Sequence, residues 1–253
     1  MKNKINEMNE TNESSIGVVY GRNPVLELLK SDKRTINKIT ISKTAVGSVI
    51  SEILKLARDR AIAIHYVPSQ KLDKISPYSQ GIAAEVSAME YIEIDSLIKM
   101  SKENPKPLIV LLDCISDPRN LGAIIRNCAA FGADGIIIPK WRASGVNETA
   151  SKTSAGAIEY VSISRVSNLN NAIDLLKKEG FWIAGAETGG QNLTTLDLPF
   201  PLAVIIGSEG EGLRKIVKEN CDYIISIPQK NEISSLNASC AAAIILYEIS
   251  KHR

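Results

Sequence analysis

Short, almost wholly apolar runs recur along the second half of the chain, at 108–113 (LIVLLD), 135–138 (GIII), 181–185 (FWIAG), 202–207 (LAVIIG) and 223–227 (YIISI). A run of this kind does not alternate between apolar and polar residues. It therefore suits a strand covered on both faces, as strands of a parallel sheet are. Segments with helical spacing fall between the runs, near 119–131, 168–179, 213–220 and 235–251. Strand–helix alternation predicts an α/β domain built on a parallel sheet with helices on both faces. In such sheets ligands bind beyond the carboxyl ends of the strands, so the loops that leave these runs hold the chemistry.

The first half reads differently. Residues 1–15 are polar and aperiodic, which predicts disorder. Order is expected from residue 16. Asn23-Pro24 looks like an N-cap and first-turn proline for a helix carrying Val25, Leu26, Leu28 and Leu29. Strands are expected at 38–42, 63–67 and 81–87, with a helix over 49–61. These elements make a small α/β domain over 16–90. The polar stretch 91–106 ends in Pro105 and Pro107 and reads as a linker to the domain at 107–253.

Composition removes several classes of function. Of the 253 residues, 44% are hydrophobic and 23% charged, as in globular proteins generally. No apolar run approaches the roughly 20 residues that span a bilayer, and the polar start is unlike a secretory signal. The four cysteines show no CxxC spacing, sit in apolar surroundings and read as reduced, buried thiols of a cytoplasmic protein. Two histidines leave little material for a metal site or a His-based triad, so no metal and no membrane are expected. Residues 1–90 hold 13 Lys/Arg against 10 Asp/Glu, and the remainder 17 against 18. The slight cationic excess of the first half suits a contact with an RNA backbone, and equally an ordinary solvated surface.

Three loops stand out. The first, DPRNLGAIIRN, places Asp117 and Pro118 as cap and first turn and carries Asn120 and Arg126. On one helix those two residues lie about 240° apart in azimuth, so they share a face only if Asn120 belongs to the preceding loop. Arg126 is set among apolar residues, which reads either as a buried, paired charge or as a working group. The second loop, GSEGEGL, has Gly207, Gly210 and Gly212 after a buried run, where glycine permits close backbone approach to a ligand. It lacks both the GxGxxG order and a phosphate-loop lysine, and its two carboxylates would repel phosphate. The third, IPQKNEISSLNAS, opens the last helix, with Ser234 or Ser235 as a reasonable cap and Asn237 unexplained by capping.

Together the strings DPRNLGAIIRNCAAFGADGIII, IIGSEGEGL and IP…SSLNASCAAAI resemble the three motifs of the SpoU (TrmH-like) branch of the SPOUT RNA methyltransferases. GRNPVLELLK and the segments after it resemble that family's ribosomal-protein-like substrate-binding domain. Asn231 and Ala238 depart from the family pattern, where glycine and valine are common. The resemblance implies methyl transfer from S-adenosyl-L-methionine to a ribose 2′-hydroxyl by a homodimer whose catalytic domain is knotted. It implies cofactor contacts from Gly207, Ile227, Leu236, Glu187 and Ser208. A reaction centre of Arg126, Glu209, Ser235 and Asn237, supported by Asn120, is implied as well. Domain order is most like the enzymes that methylate a guanosine of large-subunit rRNA, with tRNA or a resistance-conferring rRNA adenosine as the alternative. A fold-sharing protein without catalysis and a nucleotide-binding enzyme without RNA remain two other classes. The first is disfavoured by Arg126, Glu209 and Asn237 together, the second by the absence of the nucleotide motifs.

Overall fold

A computed structural model describes residues 17–77, 79–230 and 235–253. The expected disordered start and Asn231 lie outside the described residues. Two compact units divide between Glu90 and Tyr91.

The first unit runs β1 (Gly17–Tyr20), α1 (Arg22–Ser31), β2 (Ile36–Ser42), α2 (Ser48–Asp59), β3 (Ala63–Val67), α3 (Ser69–Ile75) and β4 (Ile82–Val86). Its sheet has the order β1-β4-β2-β3, antiparallel except for the parallel β2–β3 pair. Val25, Leu28 and Leu29 of α1 and Ile50, Ile53 and Ala57 of α2 form one core with Ile39, Ile41, Ile82 and Ala84. The α1 helix begins one residue before Asn23. Its cap position is Gly21, at φ 95°, so Asn23 is not the cap and Pro24 sits within the first turn.

In the second unit the order is α4 (Ile94–Ser101), β5 (Leu108–Leu112), α5 (Pro118–Ala130), β6 (Gly135–Pro139), α6 (Glu148–Thr153), β7 (Ile163–Val166), α7 (Leu169–Lys178), β8 (Trp182–Asn192), β9 (Leu202–Ile206), α8 (Lys215–Glu219), β10 (Tyr223–Ser226) and α9 (Ala238–Ser250). Six strands make one all-parallel sheet in the order β10-β8-β9-β5-β6-β7. Every residue of β5, β6 and β9 is buried, the result their unbroken apolar sequences demand. Ile109 and Leu111 pack with Leu97, Ile98, Ile173, Leu176 and Val217 under α4, α7 and α8. Alternation turns Leu108, Val110 and Leu112 to the other face. On that face α5 and α9 pack together, α5 against β6 and α9 against β9.

The expectation of a linker over 91–106 is in part overturned. Ile92 bridges to Ser164, and α4 places Leu97 so close over Gly135 that a Cβ there would lie 2.4 Å from it. The helix is therefore built into the second unit. The strand β7, with its polar centre Ser164-Arg165, and the short α6 carry no unbroken apolar signal and go unanticipated.

Candidate active site

The chain leaves β5, goes outward through β6 and β7, and returns to the other side as β8, β9 and β10. The strand order thus reverses beside β5, where a crevice opens at the carboxyl ends. Three loops meet there.

The first comes after β5. Asp117 caps α5 by accepting from the Arg119 amide at 2.8 Å, and Pro118 takes the first turn, where its missing N–H costs nothing. Asn120 lies inside α5, not in the preceding loop, so it and Arg126 point in different directions.

Next comes the loop after β9, a tight reversal in which Ser208 and Gly212 exchange backbone hydrogen bonds at 3.2 and 3.1 Å. Gly210 and Gly212 stand at φ 82° and 65°, a region open to glycine. A Cβ on Gly207 would fall 2.5 Å from the Gly212 carbonyl. Its glycine is thus required first by the loop's own backbone. Two carboxylates hold the loop's exit. Glu187 accepts from the Leu213 amide at 3.1 Å, and the wholly buried Asp113 accepts from the Arg214 amide at 2.9 Å and from its Nε at 2.7 Å.

The third loop ends at Asn237, which is itself the cap of α9. Its Oδ1 accepts from the Ser239 and Cys240 amides at 3.0 and 3.3 Å. Ser235 is exposed two residues earlier and is not the cap, while Ser234 lies outside the described residues.

One oxygen joins all three. Glu209 Oε1 accepts from Asn120 Nδ2 at 2.8 Å, from Asn237 Nδ2 and, at 3.4 Å, from the Ala238 amide. Asn237 Nδ2 also donates to Asn120 Oδ1 at 3.0 Å. Asn127 adds a tie from α5 to α9 by donating to the Ser239 carbonyl at 2.9 Å. The carboxylate of Glu209 is thereby committed to amide donors and makes no bond to Arg126.

Beside this junction lies an open cleft of about 700 Å³, its solvent-filled mouth included. Gly207, Ser208, Glu187, Ile227, Leu236 and Ser235 all line it. Its floor is apolar, from Ile206, Ile225, Ala238, Ala241 and Ile245. One wall holds Glu187, Thr188 and Gln229. An apolar slot edged by backbone amides and one carboxylate suits a flat base joined to a cationic tail.

Arg126 differs from its expectation. The buried stripe of α5 is Leu121, Ile124, Ile125 and Cys128, and Arg126 projects from the opposite side, exposed and without a partner among the described residues. The buried ion pair is ruled out. A free guanidinium on the helix surface remains, available to an external anion. Asp113 and Asn127 join the site without having stood out in the sequence, and Ala241 and Ile245, part of the last helix's apolar run, line the cleft. Asp113 had a legible signal, an acid closing an otherwise apolar run.

Three of the four cysteines correct the buried-thiol reading: Cys240 is exposed and Cys114 and Cys221 are only half-buried, while Cys128 is fully buried. Burial pushes the Cys221 thiol up to about 11, and pushes Cys128 further in the same direction.

Against known families, residues 107–247 match the SpoU rRNA methylase family. The chain belongs to that family. Residues 18–92 match a domain described as RNA 2′-O ribose methyltransferase substrate binding. Among curated SpoU/TrmH relatives, YacO of Bacillus subtilis (strain 168), placed by its name among TrmH family tRNA/rRNA methyltransferases, is 41% identical over 238 residues, covering 93% of this chain and 95% of YacO. A TrmH-family relative of Staphylococcus aureus (strain COL) is 42% identical over 240 residues, covering 93% and 96%. Among solved structures, the SpoU methyltransferase AviRb from Streptomyces viridochromogenes in complex with AdoMet is similar with a TM-score of 0.77 at 25% identity, over 93% of this chain and 90% of AviRb. The SpoU fold thus accounts for both units of the chain.

Proposed function

We propose that this SpoU-family chain transfers a methyl group from S-adenosyl-L-methionine to a ribose 2′-hydroxyl, and that its target is a guanosine of large-subunit rRNA. The observation that carries the reading is the Asn120–Glu209–Asn237 junction at the rim of the cleft. Three loops distant in sequence are tied where a methyl acceptor would meet a cofactor lying on Gly207, Ile227 and Leu236.

The fit to that cofactor is chemical. The apolar floor would take adenine, backbone groups of the 207–212 loop would meet its polar edge, and Glu187 and Ser208, which line the same cleft, would hold the charged and hydroxylated parts. When bound, S-adenosyl-L-methionine supplies an electrophilic methyl group. The chain's own residues orient the acceptor: Glu209 and Asn237 hold the rim rigid, and Ser235 stands at the mouth. A guanidinium has donors and no acceptor, so the role of Arg126 is to hold a phosphate or a developing oxyanion and not to remove a proton.

Assembly belongs to the same proposal. The inner side of α9 reaches the cleft through Ala241 and Ile245, while Ile244 and Tyr247 are exposed on its outer side. A homodimer covering that outer side, a knotted catalytic domain and a cytoplasmic place of work complete the reading. No helix among the described residues is long and apolar enough to cross a membrane.

The test is transfer of labelled methyl groups to RNA from a strain lacking the enzyme, with nucleoside mapping of the product. A 2′-O-methylguanosine in large-subunit rRNA is the expected result. Label found only in tRNA, a target class the names of the TrmH relatives include, would replace the substrate, and absence of ribose methylation would end the proposal.

A further inference from the structure

The loop after β6 has no part in the site described above. It reads Pro139-Lys140-Trp141-Arg142-Ala143-Ser144-Gly145-Val146, with two cations and no acid. Trp141 is 72% exposed, an unusual position for the most costly apolar surface a chain can show to water. The side chains of Lys140 and Arg142 are exposed too and make no hydrogen bond or ion pair among the described residues.

The loop's base is nevertheless firmly held. The Lys140 amide donates to the Val166 carbonyl at 2.7 Å, and Arg165 Nη2 donates to the Lys140 carbonyl at 3.2 Å while its guanidinium lies over the Tyr91 ring. On the far side the Ser144 amide donates to the Ile115 carbonyl at 2.8 Å, and the Val146 amide donates to Tyr91 Oη at 3.0 Å. Ile115 belongs to the β5–α5 connection, which leads to Asn120. The loop is therefore anchored to the same edge of the sheet as the cleft. The charge of Arg142 reaches that edge. Burial and the Asp113 carboxylate push the Cys114 thiol up, and the Arg214 and Arg142 charges oppose them.

We propose that Trp141, flanked by Lys140 and Arg142, is a platform on which an unpaired base of the RNA substrate stacks. The proposal rests on the RNA-methyltransferase reading and adds a positioning residue to it. An indole offers a face to any base, and two cations beside it meet the flanking phosphates. A tip mounted on a hydrogen-bonded base loses little freedom on binding, which suits a rigid aromatic anchor. A single-stranded nucleotide matches both halves of this chemistry, whereas an acidic peptide would use the cations and leave the exposed ring unused.

Trp141 is one of two tryptophans, so a full-length Trp182→Phe protein reports on it alone. Addition of a mixed-sequence single-stranded oligoribonucleotide is expected to quench its emission. Trp141→Ala is expected to raise the RNA Kd and the KM for RNA roughly 10- to 100-fold, with cofactor Kd unchanged and with Trp141→Phe recovering most of the loss. Lys140→Ala and Arg142→Ala should each lower the slope of log Kd on log salt by about 0.7. Emission untouched by saturating RNA, or wild-type KM in Trp141→Ala, overturns the platform. The two readings fail separately: a wild-type protein that leaves RNA unmethylated removes the proposed function, and only the fluorescence and KM results remove the platform.

Discussion

Asp113 and Arg214, 101 positions apart, are joined at the back of the 207–213 loop that lines the cleft, with the aspartate wholly buried and the guanidinium 38% exposed. The aspartate takes both the side chain and the backbone amide of Arg214, so it fixes the point at which the 207–213 loop turns into α8. With Glu187 on the Leu213 amide, two carboxylates set the loop's position.

Asp113→Asn keeps one acceptor and loses the charge. Because Arg214 can turn to water, the expected loss is about 1–3 kcal/mol, less than for a fully buried pair. A lower melting temperature together with weaker cofactor binding is the expected result. Wild-type values of both would show that the loop holds its place without this clasp.

Glu209→Ala removes the oxygen that joins three loops. Glu209 and Asn237 are exposed, so water can satisfy the freed amides and the fold should stay within about 0.5 kcal/mol. Transfer should fall on the order of 10²-fold through lost orientation. Single-turnover rates beside a melting curve decide it, and a rate loss matched by a comparable stability loss would count against the positioning role.

Arg126→Ala should melt as the wild type does, since the side chain is exposed and no described residue depends on it. Methyl transfer is expected to fall roughly 10²–10³-fold with cofactor binding intact. Arg126→Lys retains the charge and loses the fork, and should remain impaired. Normal transfer by the alanine variant would take Arg126 out of the site.

Gly207→Ala is expected to weaken cofactor binding by shifting the loop, because the new methyl meets the Gly212 backbone before it meets any ligand. The check is a crystal structure or amide exchange across 207–213 in the cofactor-free protein. An unchanged loop with lost binding would restore simple filling of the cleft as the cause.

Alkaline pH should destabilise the protein through Cys221. Burial raises its thiol from an ordinary value near 9.0 to about 11, so the native state keeps the proton that the unfolded state gives up. The stabilisation is complete below pH 9.0 and is lost progressively up to about 11. Unfolding free energies measured across that window should fall more steeply for the wild type than for Cys221→Ser. Parallel curves would refute the assignment.

The sheet is legible because a strand buried on both faces must be apolar throughout, and LIVLL and LAVII leave few alternatives. The five expected cofactor positions, Gly207, Ser208, Glu187, Ile227 and Leu236, do line one cleft. The features that stay hidden depend on three dimensions. Arg126 sits between apolar neighbours in sequence, yet Ile125 and Cys128 face inward and the helix turns Arg126 outward. The α4 helix shows only the stripe Ile94, Leu97 and Ile98 within a polar stretch, too short to separate from a linker, and the prolines that suggest a linker come after its end. Asn237 looks surplus to capping only while the helix start is placed at Ser234 or Ser235.

Asn120 and Asn237 are 117 residues apart, and the oxygen between them comes from a third loop. During synthesis the strands of the sheet can pair as they emerge, and Asn120 can meet Glu209 before Asn237 exists, but the rim of the cleft closes only when the last loop arrives. A nascent chain that has passed Gly207 and not yet Asn237 holds most of its core but lacks the part of the cleft lined by Ala238, Ala241 and Ile245. Cofactor is therefore expected to bind late in folding and not to template its early steps. It can select only chains whose last helix has arrived, so the enzyme gains its ligand at the end of its own making.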